Sequence, residues 1–184
     1  DYRRSSSRSR RVGLRCVDPC RRLERKREYQ RRCNDRNGNG RVNHTDELIA
    51  RNDIGNLARA DLMLNIHNNA TECRCGAGTE MLINRHRPWS AESRRLARAV
   101  QAAHVRRLQA FESSGWKVID RGIGSGDYMS LRPATRHARR PSLMPAILGE
   151  SLYLDRRRER ARLRDPEVRT ALAAAYFEGV TAWL

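Results

Sequence analysis

Apolar positions along this chain alternate between two periods, and the alternation predicts the fold. "HTDELIARNDIGNLARA" (residues 44–60) is helix-like and leads into the apolar run "DLMLNIH", which reads as a buried strand. "GTEMLINR" reads as a second short strand. A helix follows over residues 91–111, with Ser90 as N-cap and Leu96, Val100, Ala103, Leu108 and Phe111 at helical spacing. "WKVIDRGI" and "YMSLR" read as strands around a Gly-rich turn, and "PAILGESLYL" as another buried strand. The closing helix has Asp165 as N-cap and Pro166 at the first helical position, then Val168, Leu172, Tyr176, Val180 and Leu184 on one stripe. Strands alternating with helices predict a single α/β domain with a mostly parallel sheet flanked by helices.

Composition changes this picture at one end. Residues 1–33 hold thirteen basic residues against four acidic ones with little hydrophobic period, and read as an Arg-rich arm or a poorly packed approach to the domain. Residues 34–47 read as an inserted loop and residues 48–184 as the domain proper. The formal charge is +17 and the only lysines are Lys26 and Lys117. Guanidinium suits phosphate and carboxylate, so a polyanionic partner is expected: nucleic acid, an anionic membrane surface or an anionic cell wall. No apolar run approaches the length of a membrane span. The chain opens on Asp1 without a signal peptide, as a processed chain or a fragment would. The five cysteines (Cys16, Cys20, Cys33, Cys73, Cys75) lack zinc-site spacing. Disulfides joining the first group to the second are an option in an exported protein.

The sharpest local motif is "DRNGNGRVNHTD". Oxygen side chains fall at positions one, three, five and twelve (Asp35, Asn37, Asn39 and Asp46), with Gly40 at six and the Arg41 carbonyl at seven. This is the spacing of an EF-hand calcium loop. The alternative is an Asn/Gly-rich surface turn before a helix.

Two further residues carry candidate chemistry. His67 ends an apolar strand, where a neutral imidazole makes a good zinc ligand, although lone histidines are often structural. Glu150 lies inside the run "PAILGESLYLD", where an ionised carboxylate is costly without a cation or proton partner. Such a carboxylate can serve as a general base, or can pair with an arginine. Glu80 in "GTEMLIN" reads as a half-exposed strand residue paired with Arg.

From Leu48 onward the sequence resembles the zinc-dependent N-acetylmuramoyl-L-alanine amidases of the type 3 class, which cleave peptidoglycan. "LIARNDIGNLARADLMLNIHNNA" resembles the family's "L..R...AN...ADLFISIHAN", with Arg51, Asn56, Ala60, Asp61, Ile66, His67 and Asn69 in register. "SRRLARAVQ", "RGIGSGDYMSLR", "PAILGESLYLD" and "RTALAAAYFEGVTAWL" resemble its later segments in order. The resemblance implies an amidase-like fold, His67 as a zinc ligand, Glu150 as the catalytic glutamate, peptidoglycan as substrate and a secreted or envelope location. Asp46 at loop position twelve gives the calcium loop a dockerin-like look, so Ca2+ joins Zn2+ as an expected ion. The family's GHGG histidine and second ligand, a glutamate, would lie upstream of Asp1, and no HGG occurs in the chain. Gly149 and Arg156 depart from the family pattern. Two rivals follow: a non-catalytic wall-polymer-binding protein on the same fold, and, third, a nucleic-acid binder using residues 1–33.

Overall fold

The computed structural model describes residues 35–37, 41–133 and 140–184. Their order is α1 (His44–Leu57), β1 (Met63–Asn69), β2 (Thr79–Ile83), α2 (Ser90–Gln109), β3 (Asp120–Ser125), a 3-10 turn (Met129–Leu131), β4 (Ala146–Tyr153), α3 (Arg157–Arg164) and α4 (Pro166–Trp183). The strands form one sheet in the order β1-β4-β2-β3. β1 with β4 and β2 with β3 are parallel, and β2 with β4 is antiparallel. The expected α/β domain with a mostly parallel sheet is the fold observed.

β4 is buried at every position because it lies inside the sheet with both faces covered. On one face Ile147 joins Met81, Ile83, Leu96, Val100, Tyr176 and Val180, so α2 and α4 cover this side. α4 comes so close to α2 that a Cβ on Gly179 would lie 2.4 Å from the Val100 Cα. On the other face Ala146 and Leu148 pack with Leu82, Leu131 and Met63.

Several local expectations need correction. β1 is not a buried strand: its residues are half-buried or exposed, with Ile66 62% exposed, because β4 is its single strand partner among the described residues. "YMSLR" holds the 3-10 turn, in which Leu131 packs into the core while the backbone joins no ladder. α2 begins at Ser90 itself, and its N-cap, Trp89, makes no side-chain cap bond. Leu184 is 58% exposed, and Trp183 takes the buried place at the end of α4. Asp165 does cap α4, accepting the Glu167 N–H at 2.9 Å, with Pro166 at the first turn. α3, "RRERARLR", lacks the apolar period that would predict it. Among the described residues no helix is long and apolar enough to cross a membrane.

Candidate active site

The ladder registers assemble the site. His67 pairs with Glu150 across β1 and β4, and Glu150 pairs with Glu80 across β4 and β2. Residues paired in a ladder project to the same face, so one row carries imidazole, carboxylate, carboxylate. The row lies toward the carboxyl ends of the parallel strands β1 and β4, the usual side for chemistry in such sheets.

Two bulges shape the surroundings of this row. Between His67 and Asn69, β1 advances two residues while β4 advances three. The extra residue returns Tyr153 to the Glu150 face, where its hydroxyl donates to Glu80 Oε1 at 3.4 Å. A second irregularity sits opposite Glu80 on β3, where Gly122 takes φ +70°, a conformation that glycine adopts freely. There Arg121 Nε reaches Glu80 Oε1 at 3.2 Å, and Asn69 Nδ2 donates to the same oxygen at 3.0 Å. Glu80 is thus the Arg-paired strand residue expected, and also a hub joining three strands.

Glu150 differs in kind. It is 7% exposed and its Oε2 has no hydrogen-bond partner among the described residues. Burial, and next the Glu80 charge, push its carboxyl up to about 7. The group is therefore divided between acid and base near neutrality, as a proton-transfer residue needs to be. Burial and the nearby Arg51 charge hold His67 below the usual histidine range, favouring the neutral imidazole that ligates metals. Tyr128, 43% exposed, is pushed upward by burial and then by the charges of Glu150 and Glu80. No local sequence pattern puts Tyr153, Arg121 or Tyr128 here: the register and the bulges bring the first two, and the turn after β3 carries Tyr128.

The loop between β1 and β2 lies beside the row. Cys73 and Cys75 bond to each other with Cα atoms 5.2 Å apart, so an inter-group disulfide using either is corrected; Cys16, Cys20 and Cys33 lie outside the described residues. Arg156 donates to the Arg74 carbonyl at 2.7 Å, Thr71 donates to Asp155, and Gly76 packs against the Tyr153 ring.

The calcium-loop residues stand apart from this row. Asn39 lies outside the described residues, while Asp35, Asn37 and Arg41 precede α1. Asp46 is fully buried in a capping box and takes N–H bonds from Arg36 (2.7 Å), Asn37 (3.1 Å) and Asn43 (2.9 Å). Burial raises its pKa, but these backbone bonds lower it more, and it stays below the carboxylate norm. Among the described residues no group of three His, Cys, Asp or Glu could hold a metal ion. His67 offers one imidazole where a hydrolytic zinc takes three protein ligands, so the described residues alone do not fit a resident zinc.

Residues 26–182 match the model of a family described as N-acetylmuramoyl-L-alanine amidase. The chain is 28% identical over 134 residues to an endolysin of Bacillus phage SPP1, covering 73% of the chain and 44% of the endolysin. Among solved structures, an N-acetylmuramoyl-L-alanine amidase from Clostridium difficile 630 superposes with a TM-score of 0.60 at 26% identity. The catalytic domain of the amidase CwlV from Bacillus (Paenibacillus) polymyxa var. colistinus gives 0.57 at 25% identity. Each alignment covers 74% of this chain and 64% of the other. The chain therefore spans less than two thirds of each of these relatives.

Proposed function

Because the chain belongs to the N-acetylmuramoyl-L-alanine amidase family, we propose that it hydrolyses peptidoglycan at the amide joining N-acetylmuramic acid to L-alanine. The observation that carries this reading is the buried Glu150 oxygen, unpartnered among the described residues and in register with His67. Glu150 accepts a proton from the attacking water and returns it to the departing amine. The C–N bond breaks, leaving a carboxylate on the lactyl group and a free amino terminus on L-alanine. His67 contributes one ligand to zinc in this reading, and the described residues alone do not complete that ion's site. Were further ligands to join His67, zinc would supply Lewis-acid activation of the carbonyl and the water. The substrate places the protein's action outside the cell membrane, as a secreted or envelope protein.

Calcium belongs to the same proposal as an ordering ion for Asp35, Asn37, Asn39, the Arg41 carbonyl and Asp46. It would compete for the Asp46 oxygens with the backbone N–H groups they now accept. A rise in melting temperature on adding calcium, abolished by Asp35→Ala, supports this site; no rise removes it.

The test of the activity is release of new amino termini from purified peptidoglycan with zinc supplied. Glu150→Gln, which keeps the shape of the side chain, should lower the rate by about 10²–10⁴. Unchanged release would remove Glu150 from the mechanism. A second reading, a wall-polymer-binding protein without catalysis, draws on the lack of a three-ligand group among the described residues. It predicts peptidoglycan binding with no amine release at any zinc concentration.

A further inference from the structure

We infer that the outer flank of α2 is an anion-binding groove for a phosphodiester polymer of the cell wall, separate from the Glu150 row. The groove is bordered by Arg85, Arg94, Arg95 and Arg98 and contains no carboxylate. Ala91, Ala99 and Ser90 complete its lining, so the side chains beside the arginines are small. Arg95 is committed within the protein, held by Glu92 at 2.8 Å and the Trp183 carbonyl at 2.5 Å and stacked over the Trp183 ring at 5.0 Å. The side chains of Arg85, Arg94 and Arg98 make no hydrogen bond or ion pair among the described residues.

That lack sets them apart from much of the arginine on this surface. Arg106 and Arg107 close on Glu178, Arg121 on Glu80, and Arg140 on Asp53. A protein with this much positive charge and few acids could leave arginines unpaired anywhere. Here three unpaired ones converge on one groove. Arg94 and Arg98 are four residues apart on a helix, so their side chains emerge together on one face. That face can meet successive phosphates of a single chain, and guanidinium forks hold phosphate oxygens in pairs.

The groove also favours one kind of polyanion. Sites for single-stranded nucleic acid combine positive charge with aromatic platforms on which bases stack. No aromatic residue lines this groove. A polymer of alternating polyol or sugar and phosphate has no bases to stack, and positive charges among small side chains suffice. The inner side of α2 (Leu96, Ala97, Val100) is buried against the sheet face opposite Glu150, so occupancy leaves the row open. The groove would tether the protein to phosphate-bearing wall while the row acts on peptidoglycan, and in this it rests on the proposed function.

The test compares sedimentation of the full chain with two wall preparations, one keeping its phosphodiester polymers and one stripped of them by acid. Wild type should bind the phosphate-bearing walls more tightly, and the increment should shrink as salt rises. The double variant Arg94→Glu, Arg98→Glu should lose the increment by roughly tenfold and flatten its salt slope by about 1–2. The same variant should bind stripped walls, and release amines from them, as wild type does. Arg157→Glu with Arg158→Glu, the same charge reversal on exposed α3, should keep most of the increment. Equal loss in both doubles, or no increment in wild type, overturns the groove. Tighter groove-dependent binding to a DNA oligonucleotide of matched phosphate count also overturns the wall-polymer assignment. No binding to, or amine release from, stripped walls would instead overturn the wall-hydrolase reading and leave the groove to be judged by the increment.

Discussion

Glu80 and Glu150 face each other across one antiparallel pairing, yet their surroundings differ. Glu80 Oε1 accepts from Arg121, Asn69 and Tyr153. Glu150 has no such partners among the described residues for Oε2 and carries a pKa of about 7. Burial is the larger cause and the Glu80 charge the smaller, so the two can be separated by substitution. Glu80→Gln removes the like charge and keeps the burial. The Glu150 pKa should then fall below about 7 while staying above the ordinary glutamate value, read by carbon NMR titration of its carboxyl. An unmoved pKa would show that the pair is uncoupled. Glu150 was legible in the sequence because a carboxylate interrupts an apolar run, a local signal. Glu80 as a hub was not legible, since its neighbours come from three other strand positions and two bulges that no local pattern encodes.

At the scale of elements, legibility followed apolar period. α2, α4 and β4 each bury a stripe or a whole strand, and the apolar period locates each near its place. α3 has one Leu among its eight residues and was invisible, yet its Glu159 is 2% exposed and anchors the loop beside the His67–Glu150–Glu80 row. One carboxylate oxygen accepts the Gly78 N–H at 2.7 Å and the other the Tyr153 N–H at 2.8 Å. Gly78 precedes β2 and Tyr153 ends β4, so a polar residue on a charged helix ties together the entry and exit of the two carboxylate strands. Glu159→Gln turns one acceptor into a donor facing an N–H. The cost should be about 1–3 kcal/mol in urea unfolding. Amide exchange at Gly78 and Tyr153 should accelerate beyond that global loss. Acceleration spread evenly over the sheet would instead mean that Glu159 serves only general stability.

Across the whole molecule, two buried titratable groups lie on opposite faces of the sheet and oppose each other with pH. His104 is fully buried, its Nδ1 bonded to the Val100 carbonyl at 3.0 Å and its ring edge-on to Tyr176 at 4.3 Å. Burial lowers its pKa to about 4. The unfolded chain protonates this histidine below about 6.5 while the folded one does not, so its contribution to stability is full above 6.5 and declines as pH falls toward 4. Glu150 runs the other way: the unfolded chain ionises it above its model value of 4.5 and the folded one only near 7, so stability declines as pH rises between them. Each full effect is worth roughly 3 kcal/mol. Between 4.5 and 6.5 the folded chain holds the Glu150 proton and the unfolded chain the His104 proton, so the counts are equal and the pair contributes no slope. Single substitutions should uncover what the wild type hides. Glu150→Gln should lose stability relative to wild type as pH drops from 6.5 to 4.5, and His104→Phe should lose it as pH climbs over the same interval. Urea unfolding in metal-free buffer at the two pH values measures both, with the remaining ionisable groups cancelling in each comparison. Parallel pH profiles for wild type and both variants would mean that neither group is desolvated as the fold implies.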